Sequence, residues 1–263
     1  MKKRINLIGI GTDGNKSLTQ EAGEQIRKST VLIGAERMLE SVEPVRKKEA
    51  RCYTSYRPEE IMTILEQEKG EEISVLYSGD PGFYSGAKQL TKRLEGRKWE
   101  VRVIPGISSV ICMAARCQVP WEKAALVSLH GTGQNAVYEI CTHEHTFLLL
   151  GGRETAEQFL EKMSWYGLDH LEAAAGRDLS YEEEVFFRGT IRELTSELLS
   201  GLSVLWVHNP DYDTFVGQHL EDEELIRGKV PMTKSAVRAM AVAALKLQKD
   251  AVLYDIGVRN RKA

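Results

Sequence analysis

One carboxylate sits in a run of small residues at Tyr77-Ser78-Gly79-Asp80-Pro81-Gly82-Phe83-Tyr84. The apolar residues 73–76 before it read as a buried strand, and residues 85–94 after it as a helix. In open α/β sheets, ligands bind in the crevice at the carboxyl ends of strands. A strand-to-helix loop of this kind is therefore where binding chemistry is expected. Gly79 and Gly82 let the backbone approach a ligand closely, and Pro81 stiffens the chain beside Asp80. A type I or II turn would use the same residue types.

Two further loops have the same placement. Gly9-Ile10-Gly11-Thr12-Asp13-Gly14 follows the first apolar strand and matches G-x-G-x-x-G, a pattern used for dinucleotides. Glu36 lies where the ribose-binding acid of such a site would sit. Against a dinucleotide, Asn15-Lys16-Ser17-Leu18 prolongs the loop, and Thr19 with Glu21 and Ala22 looks like the helix start. The third loop, Pro105-Gly106-Ile107-Ser108-Ser109, offers free backbone N–H groups and two hydroxyls at a helix start. Simple N-capping by Ser108 or Ser109 would account for them as well.

The elements that carry these loops follow from hydrophobic period. Strands are expected at 4–10, 30–33, 73–77 and 100–104, and helices at 19–29, 59–68, 85–94 and 107–116. Strands alternating with helices imply a parallel, doubly wound sheet. After Gln118-Val119-Pro120-Trp121, which reads as a linker, strands are expected at 124–129, 146–150, 171–176, 184–189 and 203–207, with helices at 135–141, 154–165 and 190–199. The strand at 184–189 follows its predecessor too closely for a helical crossover, so that pair should be antiparallel and the second sheet mixed. The fold class is therefore α/β, with an N-terminal domain at 1–117 and a C-terminal mixed domain at 121–215. Residues 222–263 hold nine Lys and Arg against five Asp and Glu, a shift in composition. They read as a helix at 234–247 and a strand at 251–256. Val237, Met240, Ala241, Ala244 and Leu245 form an apolar stripe on that helix, expected to pack on the body or a partner subunit, or to be mobile.

Composition narrows the function classes. The chain has 263 residues, 28% charged and 42% hydrophobic, with a net charge of −3. That balance gives no reason to expect nucleic acid as partner. The apolar run 5–10 behind Met1-Lys2-Lys3-Arg4 is too short for a signal peptide, and no stretch approaches the ~20 apolar residues of a membrane helix. Cys52, Cys112, Cys117 and Cys141 contain no Cys-x-x-Cys pair and are expected to be free thiols in a cytoplasmic protein.

Taken together, the three loops resemble those of the tetrapyrrole methyltransferases, which methylate corrin and sirohaem precursors with S-adenosylmethionine. The resemblance covers about residues 4–209. It includes Ile8-Gly9-Ile10-Gly11, Leu18-Thr19, Val31-Leu32-Ile33-Gly34 with Arg37, Gly79-Asp80-Pro81 and Pro105-Gly106-Ile107-Ser108-Ser109. Leu179-Ser180-Tyr181-Glu182-Glu183-Glu184 with Gly189-Thr190 is similar to the branch that methylates C5 of cobalt-precorrin-7 in cobalamin biosynthesis. Arg227-Gly228-Lys229-Val230-Pro231-Met232-Thr233-Lys234 and Asp255-Ile256-Gly257 are similar to the opening of the decarboxylating C15-methyltransferases, often fused behind the C5 enzyme. A Gly-rich cofactor loop should follow there, but the sequence reads Val258-Arg259-Asn260-Arg261-Lys262-Ala263. C15 activity is therefore not expected of residues 222–263, and a separate C15-methyltransferase/decarboxylase becomes an expected partner.

The resemblance implies a cleft between the two α/β domains that binds a folded S-adenosylmethionine, contacted by Ile10, Asp80, Phe83, Ser108, Ser109, Leu150, Ala175 and Val207. It implies that Gly9, Gly11, Asp13 and Gly14 face the tetrapyrrole, and that the protein is a homodimer. No catalytic base is assigned; Tyr84, His130 and Asp13 are candidates by location. Arg177, with Lys16 and Arg153, lies beside predicted strand ends where substrate carboxylates could be held. His143-x-His145 has no third ligand nearby, so no metal is expected. Two other outcomes remain open: a nicotinamide oxidoreductase on the Gly9–Gly14 loop, or a degenerate protein that only binds tetrapyrrole.

Overall fold

The computed structural model describes residues 3–129, 134–201, 203–213, 233–246 and 253–254. Five parallel strands form the first sheet: β1 (Arg4–Gly9), β2 (Val31–Gly34), β3 (Arg51–Thr54), β4 (Glu72–Tyr77) and β5 (Glu100–Ile104), in the order β3-β2-β4-β1-β5. Four helices wind over both faces: α1 (Gln20–Lys28), α2 (Glu36–Ser41), α3 (Pro58–Gln67) and α4 (Ala87–Leu94). Strand alternation decides which face each residue serves. Ile5, Leu7, Ile73 and Val75 pack under α3 and α4, whereas Ile8, Leu32 and Leu76 pack under α1 and α2. Each such side chain, fully buried, contributes about 1.5–3 kcal/mol. Thr19 caps α1 by accepting the Ala22 N–H at 3.2 Å, the start the sequence predicts.

Helix α5 (Ser109–Cys117) leaves β5 but packs elsewhere. Its Val110, Met113 and Cys117 bury against Phe147, Ala174 and Trp206 of the second sheet. That sheet comprises β6 (Ala125–Ser128), β7 (His145–Leu150), β8 (Glu172–Arg177), β9 (Val185–Thr190) and β10 (Ser203–His208), in the order β6-β7-β10-β8-β9. It is mixed as expected: β6 and β7 run parallel, while β7–β10, β10–β8 and β8–β9 are antiparallel. Helices α6 (Ala136–Thr142) and α7 (Arg153–Trp165) cover the face opposite α5. The first half of the chain thus supplies one of the two covers of the second sheet, and this shared core holds the halves together.

Three local differences from the sequence reading have physical causes. Residues 190–199 do not form a helix. A 3-10 turn at Ile191–Glu193 starts with a capping box between Thr190 and Glu193, and Leu194 then turns extended at ψ 147°. Ile191, Leu194 and Leu199 are all buried at a spacing that fits a helical stripe, but the Thr195 hydroxyl accepts the Leu198 N–H at 3.2 Å, a local bond that competes with a continuous helix. Both α2 and β3 are additional elements. The first is a six-residue helix, and the second has an exposed, non-alternating edge-strand pattern. A final helix, α8 (Ser235–Ala244), buries none of its residues, and Val237, Met240 and Leu245 of its apolar stripe are more than half exposed. The stripe does not pack on the body. The strand expected at 251–256 lies largely outside the described residues.

Candidate active site

Because β4, β1 and β5 are adjacent and parallel, the three loops leave the sheet side by side. They are joined by backbone. The Gly79 N–H donates to the Gly11 carbonyl at 2.7 Å, and the Gly11 N–H to the Gly79 carbonyl at 3.2 Å. Gly11 and Gly79 both have left-handed φ, at 72° and 67°, which only glycine adopts without cost. Gly9 and Gly106 are required for a different reason. A Cβ on Gly106 would lie 2.2 Å from the Gly79 carbonyl oxygen, and one on Gly9 2.6 Å from both that oxygen and the Gly106 nitrogen.

Asp80 ties the second loop to the third. One carboxylate oxygen accepts the Gly82 N–H at 2.7 Å, and the other accepts the Gly106 N–H at 3.0 Å. The Ser108 hydroxyl caps α5 by accepting the Val110 N–H at 3.3 Å. Asp13 serves its own loop: one oxygen accepts from the Asn15 and Ser17 N–H groups and the Ser17 hydroxyl, at 3.2, 2.9 and 2.8 Å. Gly14 is pressed against Ser41 of α2, where a Cβ would sit 2.1 Å from the hydroxyl oxygen.

Facing these loops is the second half of the chain. Ser128 ends β6, Leu150-Gly151-Gly152 follows β7, and residues 178–181 follow β8. Together with the loops they enclose a cavity of about 930 Å³. Several contacts cross between the halves. Thr12 donates from its hydroxyl to that of Ser180 at 2.7 Å, and the Tyr84 hydroxyl reaches the Leu126 carbonyl at 3.1 Å. Arg116 pairs with Glu184, and Arg37 donates to the Tyr181 hydroxyl at 2.7 Å. The loop after β8 carries Asp178 and Ser180 at φ 49° and 74°, sparsely populated for non-glycine residues, so the Thr12–Ser180 and Arg116–Glu184 contacts hold a strained segment in place.

Of the residues expected at the cofactor, Asp80, Phe83, Ser108, Ser109 and Leu150 line this cavity. Ile10, Ala175 and Val207 do not; each is buried in the core. Of those expected at the substrate, Gly9, Gly11, Asp13 and Gly14 build the loop, and its cavity-lining member is Thr12. Arg177 is engaged by the Glu197 carbonyl at 3.0 Å and faces Asp178 at 3.8 Å. Lys16 is exposed, and Arg153 pairs with Glu157 at 3.0 Å on the surface of α7. His130 lies outside the described residues. His143 contacts the Glu139 carbonyl, whereas His145 lies beside His208 with ring centres 5.1 Å apart and planes tilted by 36°, at the end of β7 away from the cavity. Burial, chiefly, lowers the His145 pKa. Among the described residues, no group of three or more His, Cys, Asp or Glu could hold a metal ion.

The cavity also contains groups that the sequence reading gave no role. Arg37, Lys88, Tyr77 and Tyr181 line it. The Tyr77 hydroxyl is buried without a hydrogen-bond partner among the described residues, and burial raises its pKa steeply. Burial also raises the Tyr181 pKa, with the neighbouring Arg37 opposing it. Arg37 and Tyr181 both fall within the quoted family motifs, which was their one sequence signal.

Comparison with known proteins resolves the family. The model of the Tetrapyrrole (Corrin/Porphyrin) Methylases matches residues 4–195. The chain belongs to this family. Among relatives of this methylase is a precorrin-6Y C(5,15)-methyltransferase [decarboxylating] from Sinorhizobium sp, 28% identical over 96% of this chain and 62% of its own length. The chain thus spans less than two thirds of that relative. A probable cobalt-precorrin-7 C(5)-methyltransferase from Methanocaldococcus jannaschii is 26% identical over 76% of this chain and 95% of its own. Among solved structures, a uroporphyrin-III C-methyl transferase from Thermus thermophilus complexed with S-adenyl homocysteine superposes with a TM-score of 0.62. It is 16% identical and covers 78% of this chain and 92% of its own, a likeness of fold. The dinucleotide alternative is not favoured: α1 begins at Gln20, well beyond Gly14, so the Gly9–Gly14 loop does not open onto a helix N-terminus.

Proposed function

We propose that the chain transfers the methyl group of S-adenosylmethionine to C5 of cobalt-precorrin-7, a corrin precursor in cobalamin biosynthesis. One observation carries this: Asp80, Phe83, Ser108, Ser109 and Leu150, drawn from both halves of the chain, line a single cavity. The cavity suits a zwitterionic nucleoside. Its wall at Gly79, Gly151 and Gly201 exposes backbone rather than side chains, and among the described residues nothing lies within 4 Å of a Cβ placed at Gly152 or Gly201. The C5 assignment draws on the Methanocaldococcus relative and on the 179–184 motif.

Bound S-adenosylmethionine supplies a methyl group already activated on a sulfonium. The chain's task is then alignment, with the reacting centres about 3 Å apart and in line. Asp80 performs this indirectly, by fixing the Gly79 and Gly106 loops to each other. Phe83 and Leu150 supply apolar walls, and the Tyr84 contact with Leu126 ties the two halves together at the rim. Gly9, Gly11, Asp13 and Gly14 act through loop shape, and Ile10 and Ala175 through the core beneath the site, whereas Val207 lies toward the far end of β10. Arg177 orders the strand end next to Asp178. No side-chain base is required, because a conjugated ring can donate its own electron pair. The same proposal includes a cytoplasmic homodimer, to be checked by sedimentation. Among the described residues, no helix is long and apolar enough to cross a membrane. A single-turnover reaction with defined precorrins, read by mass spectrometry, should add one methyl group at C5. Methylation elsewhere would refute the position, and none with any precorrin would refute the activity.

A further inference from the structure

The cavity extends beyond the three-loop junction, over the carboxyl ends of β2 and β4. There Met38, Ile61 and the Tyr77 ring give an apolar floor, flanked by Arg37 from α2 and Lys88 from α4. Neither cation has a carboxylate within ion-pair distance among the described residues. Arg37 is half-buried and donates to a phenol, with its guanidinium 5.1 Å from the Tyr181 ring centre. A neutral phenol is a weak partner for a guanidinium, whose planar fork matches a carboxylate with two parallel bonds. The Tyr77 hydroxyl on the same floor is buried and, among the described residues, unpaired. Three polar groups with unfilled capacity therefore border one apolar surface. By contrast, Arg177 and Arg153 already have protein partners.

We propose that Arg37 and Lys88 are the specificity-determining cations that hold the acidic arms of a flat, polycarboxylate macrocycle lying on the Met38–Ile61–Tyr77 floor. Arg37 exchanges the Tyr181 hydroxyl for a ring carboxylate. The loop bearing Tyr181 stays in place through the Thr12–Ser180 and Arg116–Glu184 contacts. This assignment rests on the proposed reading of the cavity as a methyltransferase site and adds which side chains read the substrate's charge.

The test titrates the full chain with uroporphyrin and with its uncharged methyl ester by fluorescence, and with S-adenosylhomocysteine by calorimetry. The wild type should bind uroporphyrin more tightly than the ester. Arg37→Met should weaken uroporphyrin binding about tenfold to a hundredfold, the range for a hydrogen-bonded charge. Lys88→Met, losing an exposed point charge, should cost about threefold. Neither variant should move the S-adenosylhomocysteine affinity by more than about twofold. Tyr181→Phe should bind uroporphyrin as tightly as wild type or more so, because it frees Arg37. Arg37→Met matching wild type would overturn the assignment. So would a Tyr181→Phe loss equal to that of Arg37→Met, which would make Arg37 a loop support. A wild type that binds S-adenosylhomocysteine but not uroporphyrin refutes this assignment alone. Uroporphyrin binding that depends on Arg37, without S-adenosylhomocysteine binding, supports it and refutes the cofactor reading.

Discussion

The two sides of the cavity are built on opposite terms. At the junction of the β1, β4 and β5 loops, backbone groups meet one another, Asp80 uses both carboxylate oxygens, and four glycines make the approach possible. Over β2 and β4, among the described residues, Arg37 and Lys88 have no carboxylate partner and the Tyr77 hydroxyl no hydrogen-bond partner. The first side is saturated and rigid without a ligand. The second keeps its interactions in reserve. A site that must place a small cofactor within a fraction of an ångström gains from the first arrangement. One that must recognise several charged arms gains from the second.

Substitutions on the two sides should therefore separate stability from recognition. Gly106→Ala should have the largest effect. Its Cβ would meet backbone rather than a flexible side chain, so a destabilisation of about 3 kcal/mol is expected, with S-adenosylhomocysteine binding lost. Urea unfolding measures the first, and unchanged stability would show that the loops are less tightly joined than described. Thr12→Val, which cuts the tie to Ser180, should cost about 1 kcal/mol. Arg37→Met should leave stability within about 0.5 kcal/mol while changing macrocycle binding. A larger stability loss from Arg37→Met than from Thr12→Val would erase the contrast between the sides.

The smallest effect is a control remote from both. The folded pKa of His145 lies below its unfolded value, chiefly through burial. Its neutral form is favoured in the fold. Stability is then fully present above the unfolded value of about 6.5 and declines as pH falls through the lower folded value. The urea midpoint should fall in that window, less so in His145→Phe, with cavity binding unaffected by the substitution. An identical pH slope in the variant would exclude His145 as the source.

Much of the saturated side was legible in the sequence, because glycine and proline mark tight backbone positions wherever strand and helix periods meet. Asp80 was found for its carboxylate, yet its structural work is to bind two N–H groups, which no spacing rule reveals. The reserve side was harder to read. Arg37 sits on a six-residue helix too short to show a period, and Lys88 looks like any surface charge on α4. Their significance arises only when α2, α4 and the loop after β8 are brought around one cavity. The segment 190–199 misled because its capping box is real and its buried residues fit a helical period, while Leu194 turns extended and Thr195 starts a fresh turn.

The saturated junction as a cofactor seat is tested most directly by calorimetric titration of S-adenosylhomocysteine into wild type and Asp80→Ala. The variant loses charge-assisted bonds to Gly82 and Gly106. The expected result is wild-type binding of one molecule per chain, weakened at least about tenfold in Asp80→Ala. Equal affinity in the two proteins, or wild-type binding of NADH in its place, would contradict it.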